Sequence, residues 1–130
     1  MSENLEIVRS IYADWEHGHF SHADWADPEI EYVNPTGAIE PGTRRGLAAF
    51  SQAVERVFEG WETWQMEPEQ IEVFGDQVAV VVRYRARGRE SGVEMEGRES
   101  ALWTVRDGKV VRYEWFHEAA DAFEAVRRTM

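Results

Sequence analysis

Two residues of this chain have the chemistry that an apolar pocket would use. Glu99 lies in an alternating run, 92–105, where Val93, Met95, Gly97, Ala101, Trp103 and Val105 share its face. A carboxyl among such neighbours is expected to keep its proton to higher pH and to act as a general acid or base. His117 shares a face with Val111, Tyr113 and Trp115 in the next run, 109–117, diagonally across a hairpin from Glu99. Such a pair could pass a proton beside a carbonyl or hydroxyl. The competing reading leaves both at an open rim, solvated or paired structurally. Asn34 ends a short alternating run, 29–34. Its amide could donate to a ligand oxygen or orient a water, or it could start an Asx-type turn before Pro35.

The expected surroundings are apolar. Tyr12, Trp15, Tyr32, Phe50, Phe58, Val82, Tyr84, Ala101, Trp103, Tyr113 and Trp115 fall on inward faces, and Trp25, Trp61 and Trp64 add to the aromatic inventory. These residues either line a pocket for a planar ligand or fill the core. His17, His19 and His22 with Asp14 and Asp24 crowd one loop, but not at the i, i+4 spacing of a helical metal site. The chain has no P-loop, dinucleotide fingerprint, nucleophile elbow or His-Glu-x-x-His motif. The expectation is therefore no metal and no cofactor.

Composition narrows the classes further. The chain has 130 residues, 43% of them hydrophobic and 12% aromatic, enough for one domain with a real core. A net charge of −11 disfavours nucleic acid and anionic membrane surfaces. With no cysteine, disulfides and thiolate chemistry are excluded. No apolar run approaches the length of a membrane span, and residues 1–9 lack a basic-then-apolar signal pattern, so a cytoplasmic location is expected.

The elements that must position these residues read as helices first and strands later, an α+β order. Residues 2–16 form a helix striped by Leu5, Val8, Ile11, Tyr12 and Trp15. A short helix over 21–26 precedes the strand 29–34. A Pro-Gly loop leads to a helix over 45–60, striped by Leu47, Phe50, Val54, Val57, Phe58 and Trp61. Strands follow at 70–74, 77–87, 92–105 and 109–117, with a closing helix over 119–128. A turn at 88–91 would set Arg85 opposite Glu94 and Arg83 opposite Glu96, with Tyr84 meeting Met95. A three-residue loop over 106–108 would pair Trp103 with Val111 and keep both faces consistent.

In this order the segments resemble the nuclear transport factor 2-like superfamily, which includes ketosteroid isomerases and SnoaL-like polyketide cyclases. The resemblance rests on Glu16-His17-Gly18-His19, on Tyr32-Val33-Asn34-Pro35, on Arg45-Gly46-Leu47 and on Val105-Arg106-Asp107-Gly108-Lys109-Val110. It implies a cone-shaped α+β barrel, its strongly bent and mostly antiparallel sheet wrapped around the N-terminal helices. It also implies a hydrophobic cavity and a homodimer. The isomerases place their base, an Asp, directly before the Pro that ends the first strand; here that residue is Asn34. Their oxyanion hole uses a first-helix Tyr and a neutral strand Asp. Ile11, next to Tyr12, and Ala101 fall at those places, which argues against steroid isomerisation. The cyclases use inward acidic and His residues on late strands, which Glu99 and His117 resemble. The expected protein holds a small hydrophobic, oxygenated molecule and is a cofactor-free acid–base isomerase, cyclase or (de)hydratase. The alternative is a non-catalytic binding or dimerisation module that meets a second copy through the outward Arg83, Arg85, Glu94 and Glu96.

Overall fold

The computed structural model describes residues 3–17, 24–38 and 41–129, apart from the side chains of Val57, Phe58 and Thr129. Helix α1 (Glu3–Trp15) forms on a buried stripe of Val8, Ile11, Tyr12 and Trp15, with Glu3 and Glu6 favoured by the dipole at its start. Strands β1 (Ala26–Asn34) and β2 (Gly42–Arg45) precede helix α2 (Leu47–Glu59). Strands β3 (Trp61–Phe74), β4 (Gln77–Gly88), β5 (Glu94–Arg106) and β6 (Lys109–Phe116) follow, then helix α3 (Asp121–Thr129).

The six strands make one strongly curved open sheet in the order β2-β1-β6-β5-β4-β3. Neighbours are antiparallel except β1 beside β6, which run parallel. Alternation along the long strands sorts side chains onto two faces. The inner face sets Val78, Val80 and Val82 of β4 and Ala101, Trp103 and Val105 of β5 against α1 and α2. On the outer face, Ala79 and Leu102 pack with Ala122, Phe123 and Val126 of α3. Covered on both sides, β5 is buried continuously from Glu99 to Val105. No helix among the described residues is long and apolar enough to cross a membrane.

Several expected boundaries and registers move. The short helix over 21–26 is not formed at its described end: Asp24 and Trp25 make a turn, and β1 starts at Ala26. Residues 18–23 lie outside the described residues. The third helix starts at Leu47 because 42–45 pairs with β1 as an extra strand. Trp61 belongs to β3, not to the helix, and β3 begins nine residues before the expected strand. The β4–β5 loop is longer than expected, so Arg85 meets Glu96, Arg87 meets Glu94 and Tyr84 meets Gly97. That is a two-residue slip, which leaves every side chain on its expected face.

The last hairpin reaches the expected faces differently. Arg106 pairs with Lys109 around the two residues Asp107 and Gly108, both at positive φ (51° and 76°). Val105 pairs with Val110 and Thr104 with Arg112, so Val111 is an extra, bulged residue. The bulge returns Trp103 and Tyr113 to the same face, as direct partners.

Candidate functional site

The inner face is organised in rows that cross the sheet. The deepest continuous row is Val73, Val78, Trp103, Tyr113 and Tyr32. Next come Ile71, Val80, Ala101 and Trp115, then Pro68, Val82 and Glu99, then Met66, Tyr84 and Gly97. The outermost row is Trp64, Ala86 and Met95, where Met95 is 43% exposed. Glu99 thus stands between a sealed aromatic end and a half-open one.

The sealed end is packed with rings. The Trp103 and Tyr113 centroids lie 4.3 Å apart, and Trp15 meets Tyr12, Trp103 and Tyr113 at 5.5, 5.6 and 5.9 Å. Tyr32 stacks on Tyr113 at 5.6 Å and meets Phe50 edge-on at 5.3 Å. All six are buried. At this depth Tyr12, Trp15, Tyr32, Phe50, Trp103 and Tyr113 fill the core. Val82 and Ala101 lie beside Glu99, while Tyr84 and Trp115 flank it, half-buried. The Phe58 side chain lies outside the described residues.

Glu99 is 8% exposed; its carboxyl makes no hydrogen bond or ion pair among the described residues, and its oxygens are not fully closed off from solvent. Burial therefore acts unopposed on the charged form and pushes the carboxyl up to about 8. Near neutral pH Glu99 is mainly a neutral acid, with one donor proton and acceptor capacity to spare. Burial also raises the Tyr12 and Tyr113 hydroxyls, and the nearby Glu99 charge adds to both.

The other two candidates are placed differently. Asn34 Oδ1 accepts a hydrogen bond from Trp115 Nε1. It therefore fixes an indole next to the Glu99 row. The β5–β6 ladder would put His117 opposite Glu99, but β6 ends at Phe116. His117 is exposed, its ring 5.0 Å from Trp115, and its Nε2 lies 3.5 Å from where a Cβ on Gly37 would stand. The two side chains make neither a hydrogen bond nor an ion pair, so the expected Glu–His proton relay is not assembled. His19 and His22 lie outside the described residues, and among the described residues no three His, Asp or Glu side chains are grouped to hold a metal.

Sequence reasoning missed the contribution of β3. Trp64 and Met66 alternate with Gln65 and Glu67, which was the available signal. The indole of Trp64 stacks on Tyr84 at 5.8 Å and 5°. Two clefts lie elsewhere: one of about 740 Å³ on the outer face, bordered by Arg45, Arg112 and Leu102, and one of about 320 Å³ beside His17 and Arg83. Neither is lined by Glu99.

Known structures share this architecture. A nuclear transport factor 2-like protein of unknown function from Burkholderia pseudomallei superposes with a TM-score of 0.80 at 18% identity, covering 95% of this chain and 97% of that one. TerC, co-crystallised with polyporic acid, gives 0.75 at 24% identity, with 97% and 99% covered. A candidate SnoaL-like polyketide cyclase from Jannaschia sp. CCS1 gives 0.78 at 19%, with 95% and 91% covered. No curated protein matches the sequence. The SnoaL-like domain matches residues 8–113, most of the fold just described, and the chain belongs to that family.

Proposed function

We propose that this protein binds a small, hydrophobic, oxygenated molecule on the open side of the Glu99 row and moves a proton on it without a cofactor. One observation carries the reading: Glu99 is a buried carboxyl with no partner among the described residues, on an otherwise apolar face. An acid kept neutral there can donate to a carbonyl oxygen, and at slightly higher pH the same group can take a proton. Because His117 stands apart, Glu99 serves as both acid and base, which suits isomerisation, cyclisation or dehydration around a carbonyl. The similarity to TerC, co-crystallised with polyporic acid, and to a candidate polyketide cyclase fits a ligand of this kind.

A ketone that does not itself titrate tests the proposal. Binding of 2-acetylnaphthalene, followed by tryptophan fluorescence, is expected to weaken as pH rises through about 8, where Glu99 loses its donor proton. Glu99→Gln keeps a donor and is expected to bind the ketone with a flat profile. A wild-type profile that is equally flat, or no binding at all, would overturn the reading.

A second reading, association of two copies, is favoured by the outer-face cleft. Arg45, Arg106 and Arg112 there stand among Asp27, Glu29, Glu31, Asp76 and Glu114, so the face is complementary to itself in charge. Sedimentation velocity checks it, and a monomer at tens of micromolar would set it aside. The outward Arg83, Arg85, Glu94 and Glu96 stripe is a second mixed-charge surface, and as in the cleft, where Arg45 and Arg112 pair with Glu31 and Arg106 with Asp76, its charges also pair within the chain. Glu96 already pairs within the chain with Arg83 at 3.7 Å and Arg85 at 3.9 Å.

A further inference from the structure

Gly97 has no side chain, and the space above it is occupied. A Cβ at that position would stand 2.7 Å from Tyr84 Oη and 2.9 Å from Tyr84 Cζ, closer than real Cβ contacts come. The Tyr84 phenol therefore lies across β5, where the side chain of residue 97 would project. That place is next to Glu99, two residues along on the same face. Val82 lies beside Glu99 on β4, and Ala101 and Trp115 make up the row beneath. Tyr84 occupies the next row, on the side toward the strand tips.

Three features suit Tyr84 to movement. It is half-buried, whereas Glu99, two residues along β5 from Gly97, is 8% exposed. Its ring is held by stacking on Trp64, planes 5° apart, and no hydrogen bond ties down its hydroxyl among the described residues. Swinging the ring off Gly97 costs a stacking contact and strands no buried polar group. Beyond it the face continues over Trp64, Ala86 and the exposed Met95.

We propose that Tyr84, resting on Gly97, is the gate to Glu99 and sets the size of ligand that reaches it. The proposal deepens the Glu99 reading and rests on it for its functional meaning. A ligand approaches along the Trp64–Met95 end, displaces the phenol and brings its oxygen to Glu99. The resting ring narrows the approach to the carboxyl until then. Gly97 is required because any side chain there would prop the gate open.

Carbodiimide coupling to a small amine reads access to Glu99 directly, with no ligand needed. Glu94 and Glu96, exposed on the same strand, serve as internal references in peptide mapping by mass spectrometry. In the wild type Glu99 is expected to label far more slowly than either. Tyr84→Ala removes the gate, and Gly97→Ala evicts it while keeping the phenol. Both are expected to raise Glu99 labelling relative to Glu94 by about tenfold or more, with β5 amide protection retained. Unchanged labelling in both folded variants would overturn the gate, as would a rise matched by lost β5 protection in both. Either result leaves the Glu99 proposal standing, because the ketone's pH profile tests that separately. Failure of the ketone profile alongside a labelling rise would leave a gate over a carboxyl of another role.

Discussion

Trp103 Nε1 donates a hydrogen bond to Tyr12 Oη at 3.1 Å, joining helix α1 to strand β5 across 91 positions of sequence. Both side chains are fully buried. The bond satisfies the single donor of an indole that has no access to water, and it fixes the helix against the sheet just inside the Glu99 row.

The two residues are expected to be coupled energetically. Tyr12→Phe leaves the Trp103 donor unmet in the core and should cost about 1–3 kcal/mol. Trp103→Phe loses the same bond and also leaves space. The double variant should cost less than the two single losses together, by about 0.5 kcal/mol or more. Urea unfolding of all four proteins provides the comparison. Strict additivity would mean that the bond contributes nothing beyond packing.

Glu99 should make stability depend on pH in the direction opposite to most carboxylates. Its carboxyl titrates at about 8 when folded, against 4.5 for an ordinary glutamate. Between those values the folded chain holds a proton that the unfolded chain has released, so stability falls as pH rises. The contribution is complete below 4.5 and gone above about 8, a span worth roughly 4–5 kcal/mol at 1.36 kcal/mol per pH unit. Glu99→Gln removes the titration. Its advantage over the wild type should grow from pH 5 to pH 8 and then level off in chemical denaturation. A constant difference across that range would mean that the carboxyl is solvated.

Glu99 was legible in the sequence because strand alternation is strict there: one charged side chain in a run of apolar ones can face only one way. Its isolation was not legible. The expected partnership with His117 assumed that pairing continues past Phe116, and where a strand stops depends on the turn and helix that follow. The start of β3 was hidden for a different reason. Val57, Phe58 and Trp61 are spaced as a helix would space them, so the stripe of α2 runs without a break into the strand. The last hairpin was ambiguous because Val110 and Val111 are both apolar. Nothing in that pair says which one bulges, and a two-residue turn with a bulge gives the same faces as a three-residue loop.

That hairpin offers a backbone test. Asp107 is at φ +51°, a left-handed conformation that Asp and Asn tolerate and β-branched residues do not. Asp107→Val should cost about 1–2 kcal/mol, while Asp107→Asn should be neutral or slightly stabilising. Both substitutions keep the Arg106–Asp76 ion pair, so the difference between them in thermal unfolding reports backbone strain at this position.

Ser100 turns away from the site and holds the other side of β5. Its hydroxyl donates to the Glu118 carbonyl at 2.7 Å and accepts from the Ala122 amide at 3.0 Å, and the residue is fully buried. One side chain thus caps the start of α3 from within the sheet, where helix amides otherwise lack partners. Ser100→Ala strands the Ala122 amide under the helix and should cost about 1–3 kcal/mol. The loss should concentrate in α3: amide exchange there should speed up while β5 and β6 keep their protection. Because Ser100 and Glu99 face opposite ways, the variant should still bind 2-acetylnaphthalene with the wild-type pH profile. Loss of that profile in Ser100→Ala would show that α3 supports the inner face through β5, and that the two faces are not independent.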